Sequence, residues 1–107
     1  MTTHELKCWP EFFRHIVSGA KTFELRRDDR GYRAGDELLL REWSKSGGYT
    51  GREMQVEVTY LLSGPVMGIA EGWVCMAIRA RQSHENFVKL IRHLRLLAEA
   101  KEQRAGQ

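Results

Sequence analysis

Three stretches constrain this chain more than anything else in it: "ELLLREW" at 37–43, "REMQVEVTYLL" at 52–62 and "WVCMAIRA" at 73–80. Each alternates apolar with polar residues or is rich in β-branched and aromatic side chains. That is the period of a half-buried strand and not of a helix. Glycine-bearing connections, "SKSGGYTG" and "GPVMGIAEG", separate them. Upstream, "HELKCW" and "KTFELR" also alternate, so about five short strands fall within the first ~80 residues. A set of that kind leaves exposed edges unless it curls, so we expect a small barrel or strongly curled sheet. With 107 residues and 42% hydrophobic content, one domain can bury a core without covalent staples.

Two helices accompany the strands. Pro10 suits the first turn of a helix, Phe12, Phe13, Ile16 and Val17 recur at helical spacing, and Gly19 sits where a left-handed cap belongs. The spacing predicts a helix over 10–18, with Trp9 buried against it. From Ser83 onward, Phe87, Leu90, Ile91, Leu94, Leu97 and Ala98 recur at three and four, with basic residues between. We therefore divide the chain into a barrel over 1–82 and, over 83–107, an amphipathic helix with a frayed tail. The helix docks on the barrel, forms a homodimer with a second copy, or meets a membrane surface or nucleic acid. Altogether the fold is α+β and mainly β.

Several function classes drop out. Cys8 and Cys75 lie in apolar stretches with no metal-ligand spacing, and His4, His15, His84 and His93 show none either, so no metal is expected. We read both cysteines as buried, reduced thiols. No nucleophile elbow, phosphate loop or dinucleotide fingerprint appears, and no cofactor is implied. No apolar run approaches the ~20 residues of a membrane span, and the N-terminus has no signal-like core, which makes the cytoplasm the expected location. The net charge of +3 permits a polyanionic partner without requiring one.

The densest chemistry lies in "GAKTFELR", residues 19–26. Alternation places Phe23 and Leu25 on one side and Glu24 and Arg26 on the other. Phe23 and Leu25 are expected to anchor the core, while Lys21, next to the helix cap, swings to a cleft to meet Glu24 and Arg26. At fixed positions Gly19, Lys21, Glu24 and Arg26 the segment resembles the signature of the ASCH domain, a relative of the PUA RNA-binding fold. Similarity to a bacterial and phage-associated branch continues through "HELKCWPEFF", "GAKTFELRRDDRGYRAGDELLLREW" and "YTGREMQVEVTYLL", covering 4 to about 80. The resemblance implies a PUA-like β-barrel whose cleft, beside the first helix, takes RNA or a nucleotide-like small molecule on Lys21, Glu24 and Arg26. One similar branch hydrolyses the amide of N4-acetylcytidine with a Lys, a Thr and a later Glu. Here Lys21 fits that pattern and Glu24 stands in the place of the Thr.

Further candidates surround that segment. Arg27 and Arg30, with Arg26 and Arg33, either face phosphates and bases or form ion pairs with Asp28, Asp29 and Asp36. Tyr32 is a stacking ring or a plug for its turn. Trp43, with Arg41, Lys45 and Arg52 near it in sequence, is a stacking platform or packing. Lys21 and Glu24 are an ion pair joining helix to strand or, if the protein is an enzyme, its catalytic pair. The expected function is binding of RNA or a nucleotide-like ligand. The alternatives are a hydrolase of a modified nucleoside or RNA using Lys21 and Glu24, and a protein-interaction module built on the terminal helix.

Overall fold

A computed structural model describes residues 1–80 of the chain. Five strands and one helix follow in the order β1 (Thr3–Cys8), α1 (Pro10–Ser18), β2 (Phe23–Arg27), β3 (Glu37–Ser44), β4 (Gly48–Ser63) and β5 (Trp73–Ala80). They make one sheet in the order β1-β3-β4-β5-β2, in which β1 runs parallel to β3 and the other neighbours pair antiparallel. The terminal helix expected over 83–107, and the dimer expected through it, lie outside the described residues.

The sheet curls into a half-barrel. β1 and β2 are its two edges, yet Arg26 on β2 donates to the Lys7 carbonyl of β1 at 2.6 Å. Side-chain contact between opposite edges of a five-stranded sheet requires strong coiling. Register shifts between Arg41 and Trp43 and between Val58 and Tyr60 assist it, because an extra residue bends its strand and sharpens the local twist. Among the described residues no helix is long and apolar enough to cross a membrane.

The core follows from the period of two. Leu38 and Leu40 on β3, Val56 and Val58 on β4, and Val74 and Met76 on β5 are all fully buried. Phe13 and Ile16 of α1 and Leu6 and Cys8 of β1 pack with them. Burying a side chain such as Phe13 contributes about 1.5–3 kcal/mol. The helix has the bounds that its sequence signals give, with Pro10 in the first turn and Gly19 at φ 85°, a conformation glycine adopts without the cost a Cβ would add. Trp9 supplies the N-terminal cap through its backbone, and its carbonyl accepts from Phe12 and Phe13.

Four expectations need correction. Phe23 and Leu25 are half exposed, whereas Glu24 is buried, so the faces of β2 are the reverse of those expected. Trp9 lies at 55% exposure, stacked on Phe12 at the surface instead of buried against the helix. The β3–β4 connection is shorter than "SKSGGYTG": Ser44 pairs with Gly48 and Trp43 with Tyr49, so Tyr49 belongs to a strand. Finally, Cys75 is only half buried, although both cysteines are free as expected.

Candidate functional site

A cleft of about 660 Å³ opens where the β1–α1 junction faces the edge strand β2. The chain has three tryptophans, and all of them, Trp9, Trp43 and Trp73, line it. Each arrives from a different element: Trp9 from the cap of α1, Trp43 from the end of β3 and Trp73 from the start of β5. Phe12 and Phe23 complete the aromatic wall.

The floor is charged. Glu24 faces inward from β2, opposite Met76 of β5, and its side chain is only 5% exposed. Lys21 donates to its Oε1 at 2.7 Å and Arg26 to its Oε2 at 2.9 Å. A carboxylate that deep is tolerated because two cations hold it, one on each oxygen. Lys21 is fixed in turn: its backbone N–H closes the end of α1 on the His15 carbonyl, and its ammonium also donates to the Phe23 carbonyl. Inward charges on an edge strand also discourage pairing with a stray strand. The reversal of β2 therefore has a physical cause, since an edge at the mouth of a half-barrel can turn a self-satisfied charged trio inward where a central strand could not.

Cations already lie against several of the rings. Lys7 Nζ sits 4.4 Å from the Trp43 centroid and Lys21 Nζ 4.8 Å from that of Phe23, while the Arg27 guanidinium is 5.4 Å from that of Trp73. Cys8, beneath them, is chemically quiet: burial first, and the Glu24 charge next, push its thiol up to about 11. The walls can sandwich a flat ring, and the floor offers acceptors on Glu24 and further N–H groups on Lys21 and Arg26 to the polar edge of such a ring.

The structure brings Lys21, Glu24, Arg26 and Trp43 together in this cleft. Arg27 lies over the Trp73 ring and does not line the cleft, and Arg30 lies in an adjoining hollow, donating to the Glu5 carbonyl at 2.9 Å. Tyr32 is the plug of its turn: its ring is buried, 4.8 Å edge-on from His4, and burial pushes its hydroxyl pKa up. Arg52 turns to Glu42, donating to both carboxylate oxygens at 2.8 Å, while Thr50 donates to one of them. The loop arginines form no ion pairs with Asp28, Asp29 or Asp36 among the described residues. Asp28 accepts instead from the Tyr32 backbone. Asp36 accepts from His4 and from the backbone of Thr2 and Arg33. Burial alone would raise its carboxyl, but those bonds, led by His4, outweigh it and hold the group below its usual value.

Sequence reasoning missed Lys7 and Phe12 as cleft residues; Trp73, at the start of a strand, is a rim aromatic like Trp43, and both line the cleft. Lys7 lies on the outward face of β1, Trp9 follows two residues on at the cap of α1, and Phe12 comes one helical turn later, so the convergence of these three was open to a period argument. No group of three or more metal-ligating side chains occurs among the described residues.

Residues 3–78 match the family described as "Domain of unknown function (DUF3850)", and the chain belongs to that family. It is also 39% identical over 56 residues to an "Uncharacterized 12.9 kDa protein in GpA 3'region" of Escherichia phage P2. That alignment covers 52% of this chain and 50% of the phage protein, so the match spans about half of the relative's length.

Proposed function

We propose that this member of the DUF3850 family is an ASCH/PUA-like barrel that binds RNA or a nucleotide-like small molecule in the tryptophan-lined cleft. The observation that carries the reading is the convergence of Trp9, Trp43 and Trp73 over the Lys21–Glu24–Arg26 floor. Aromatic stacking contributes about 1–3 kcal/mol per base and tolerates any base, while a buried carboxylate beside an ammonium discriminates among base edges. Glu24 accepts from an exocyclic amine, and Lys21 or Arg26 donates to a ring carbonyl. The Gly19, Lys21, Glu24 and Arg26 spacing and the curled five-stranded sheet both agree with the ASCH/PUA-like assignment. Two free thiols suit a reducing compartment, in keeping with a cytoplasmic location.

Intrinsic fluorescence tests this directly, because every tryptophan that emits lines the cleft. Titration with short single-stranded RNA and with free nucleosides and nucleotides is expected to quench emission saturably. Trp43→Ala and Lys21→Met, each checked for retained fold by circular dichroism, are expected to weaken the response. Unchanged emission with every ligand at millimolar concentration would overturn the reading. Product appearing in the same mixtures, and lost in Glu24→Gln, would move the cleft from binding to catalysis.

A further inference from the structure

Beside the aromatic cleft lies a second hollow of about 340 Å³, lined by Lys7, Arg26, Arg30 and Arg41 together with Glu5 and Tyr49. Lys7 and Arg26 line both cavities, so the two are neighbours that share those side chains. We propose that this hollow is an anion subsite that takes the phosphate of the ligand whose base occupies the cleft. The protein would then select a phosphorylated nucleotide unit over a bare nucleoside. This inference rests on the base-binding reading above and deepens it.

The charge count favours an anion. Four cations line the hollow against one carboxylate, Glu5, which takes Arg41 at 3.1 Å and is itself 60% exposed. Arg41 reaches one further carboxylate, Glu53, at 3.5 Å. Lys7 has no carboxylate partner among the described residues; its ammonium lies over Trp43. Arg30 donates to the neutral Glu5 carbonyl, which leaves its charge uncompensated and most of its five N–H donors unused. Arg26 splits its guanidinium between Glu24 and the Lys7 carbonyl.

The arginines are also held in place. The Arg41 guanidinium lies over the Tyr49 ring, 3.9 Å from its centroid, and Arg26 and Arg30 are tied to two carbonyls of β1, those of Lys7 and Glu5. Those tethers orient planar forks toward one concavity without spending all their donors. Fixed guanidinium planes match the tetrahedral oxygens of phosphate better than mobile ammonium groups do.

The test compares a nucleoside, its 5′- and 3′-monophosphates and the corresponding dinucleotide by calorimetry at low salt, with inorganic pyrophosphate as a base-free probe. One of the monophosphates is expected to bind about tenfold tighter than the nucleoside, as charge-assisted hydrogen bonds of this kind imply. Arg41→Gln and Arg30→Gln are each expected to shrink that advantage severalfold. A dinucleotide that binds tighter still, with the same dependence on Arg41, would assign the subsite to the phosphodiester of a strand; equal binding would assign it to a mononucleotide. Pyrophosphate alone is expected to shift the side-chain Nε–H signals of Arg30 and Arg41. If pyrophosphate shifts those signals while nucleosides fail to bind, the base reading falls and the anion subsite stands. If nucleosides bind but neither monophosphate gains affinity and pyrophosphate moves nothing, the subsite is wrong and the base reading stands.

Discussion

Replacing Glu24 by Gln keeps the shape of the side chain and removes its charge, which isolates what the carboxylate does for Lys21 and Arg26. Both bonds to Glu24 are short, 2.7 and 2.9 Å, and the acceptor is 5% exposed, so solvent screens them little. Lys21 and Arg26 stay charged, so the glutamine carbonyl keeps one charge-assisted bond in weakened form while the other, contributing about 1.5–3 kcal/mol, is lost. The glutamine NH₂ faces the cation that loses its bond, leaving that donor without an acceptor. Relief from desolvating a buried anion offsets part of the loss. The net expectation is about 2 kcal/mol, or a fall in melting temperature of about 8–16 °C for a domain of this size. Lys21→Met is expected to cost a similar amount by stranding half of the carboxylate. Thermal unfolding of wild type, both single variants and the double variant closes the cycle. The double variant is expected to fall short of the sum by about 1–3 kcal/mol. Strict additivity would refute the view that the two side chains form one coupled unit at the cleft floor.

Further expectations follow from other buried groups of the fold. Cys8, with its thiol pushed up to about 11, is expected to alkylate far more slowly than an unfolded cysteine at pH 8, with a rate still climbing above pH 10. The folded state keeps that proton after the unfolded chain loses it, so stability is expected to fall between about pH 9 and 11, measured by urea unfolding against pH. Asp36 has the opposite sign: its depressed carboxyl contributes stability above the unfolded pKa and loses it as pH falls through the lower folded value. Asp36→Asn is therefore expected to cost about 1–3 kcal/mol at pH 7 and to flatten the acid limb of the stability profile. Arg52→Met leaves the fully buried Glu42 without its cation, which would cost about 3–5 kcal/mol for a wholly buried pair. Because Arg52 is 40% exposed, we expect about 2 kcal/mol, largely restored by adding Glu42→Gln.

Much of the fold was legible because its signals are local. Pro10 and Gly19 bracket α1, and the alternation of Leu38 and Leu40, Val56 and Val58, and Val74 and Met76 locates the core faces. Period two divides a strand into faces without saying which is inside. On β2, hydrophobicity pointed to Phe23 and Leu25, yet the strand is an edge and its inward carboxylate is met by Lys21 and Arg26. Glu42 follows the opposite lesson: it shares the inward register of Leu38 and Leu40, and the buried charge was readable from that pattern, though its partner Arg52 was not. The charged trio itself was legible as a cluster. The aromatic wall was not, because Trp9, Trp43 and Trp73 meet only when the sheet curls.

The central claim is that these tryptophans enclose a ligand's base. An amide and indole NMR titration of the purified protein with single-stranded RNA and nucleoside monophosphates tests it most directly, since three indole N–H signals report on three sides of one cleft. The account predicts that all three move together with the amides of residues 21–26, with one binding constant. Three indole signals unmoved at millimolar ligand, or ligand-induced shifts confined to other parts of the sheet, would contradict it.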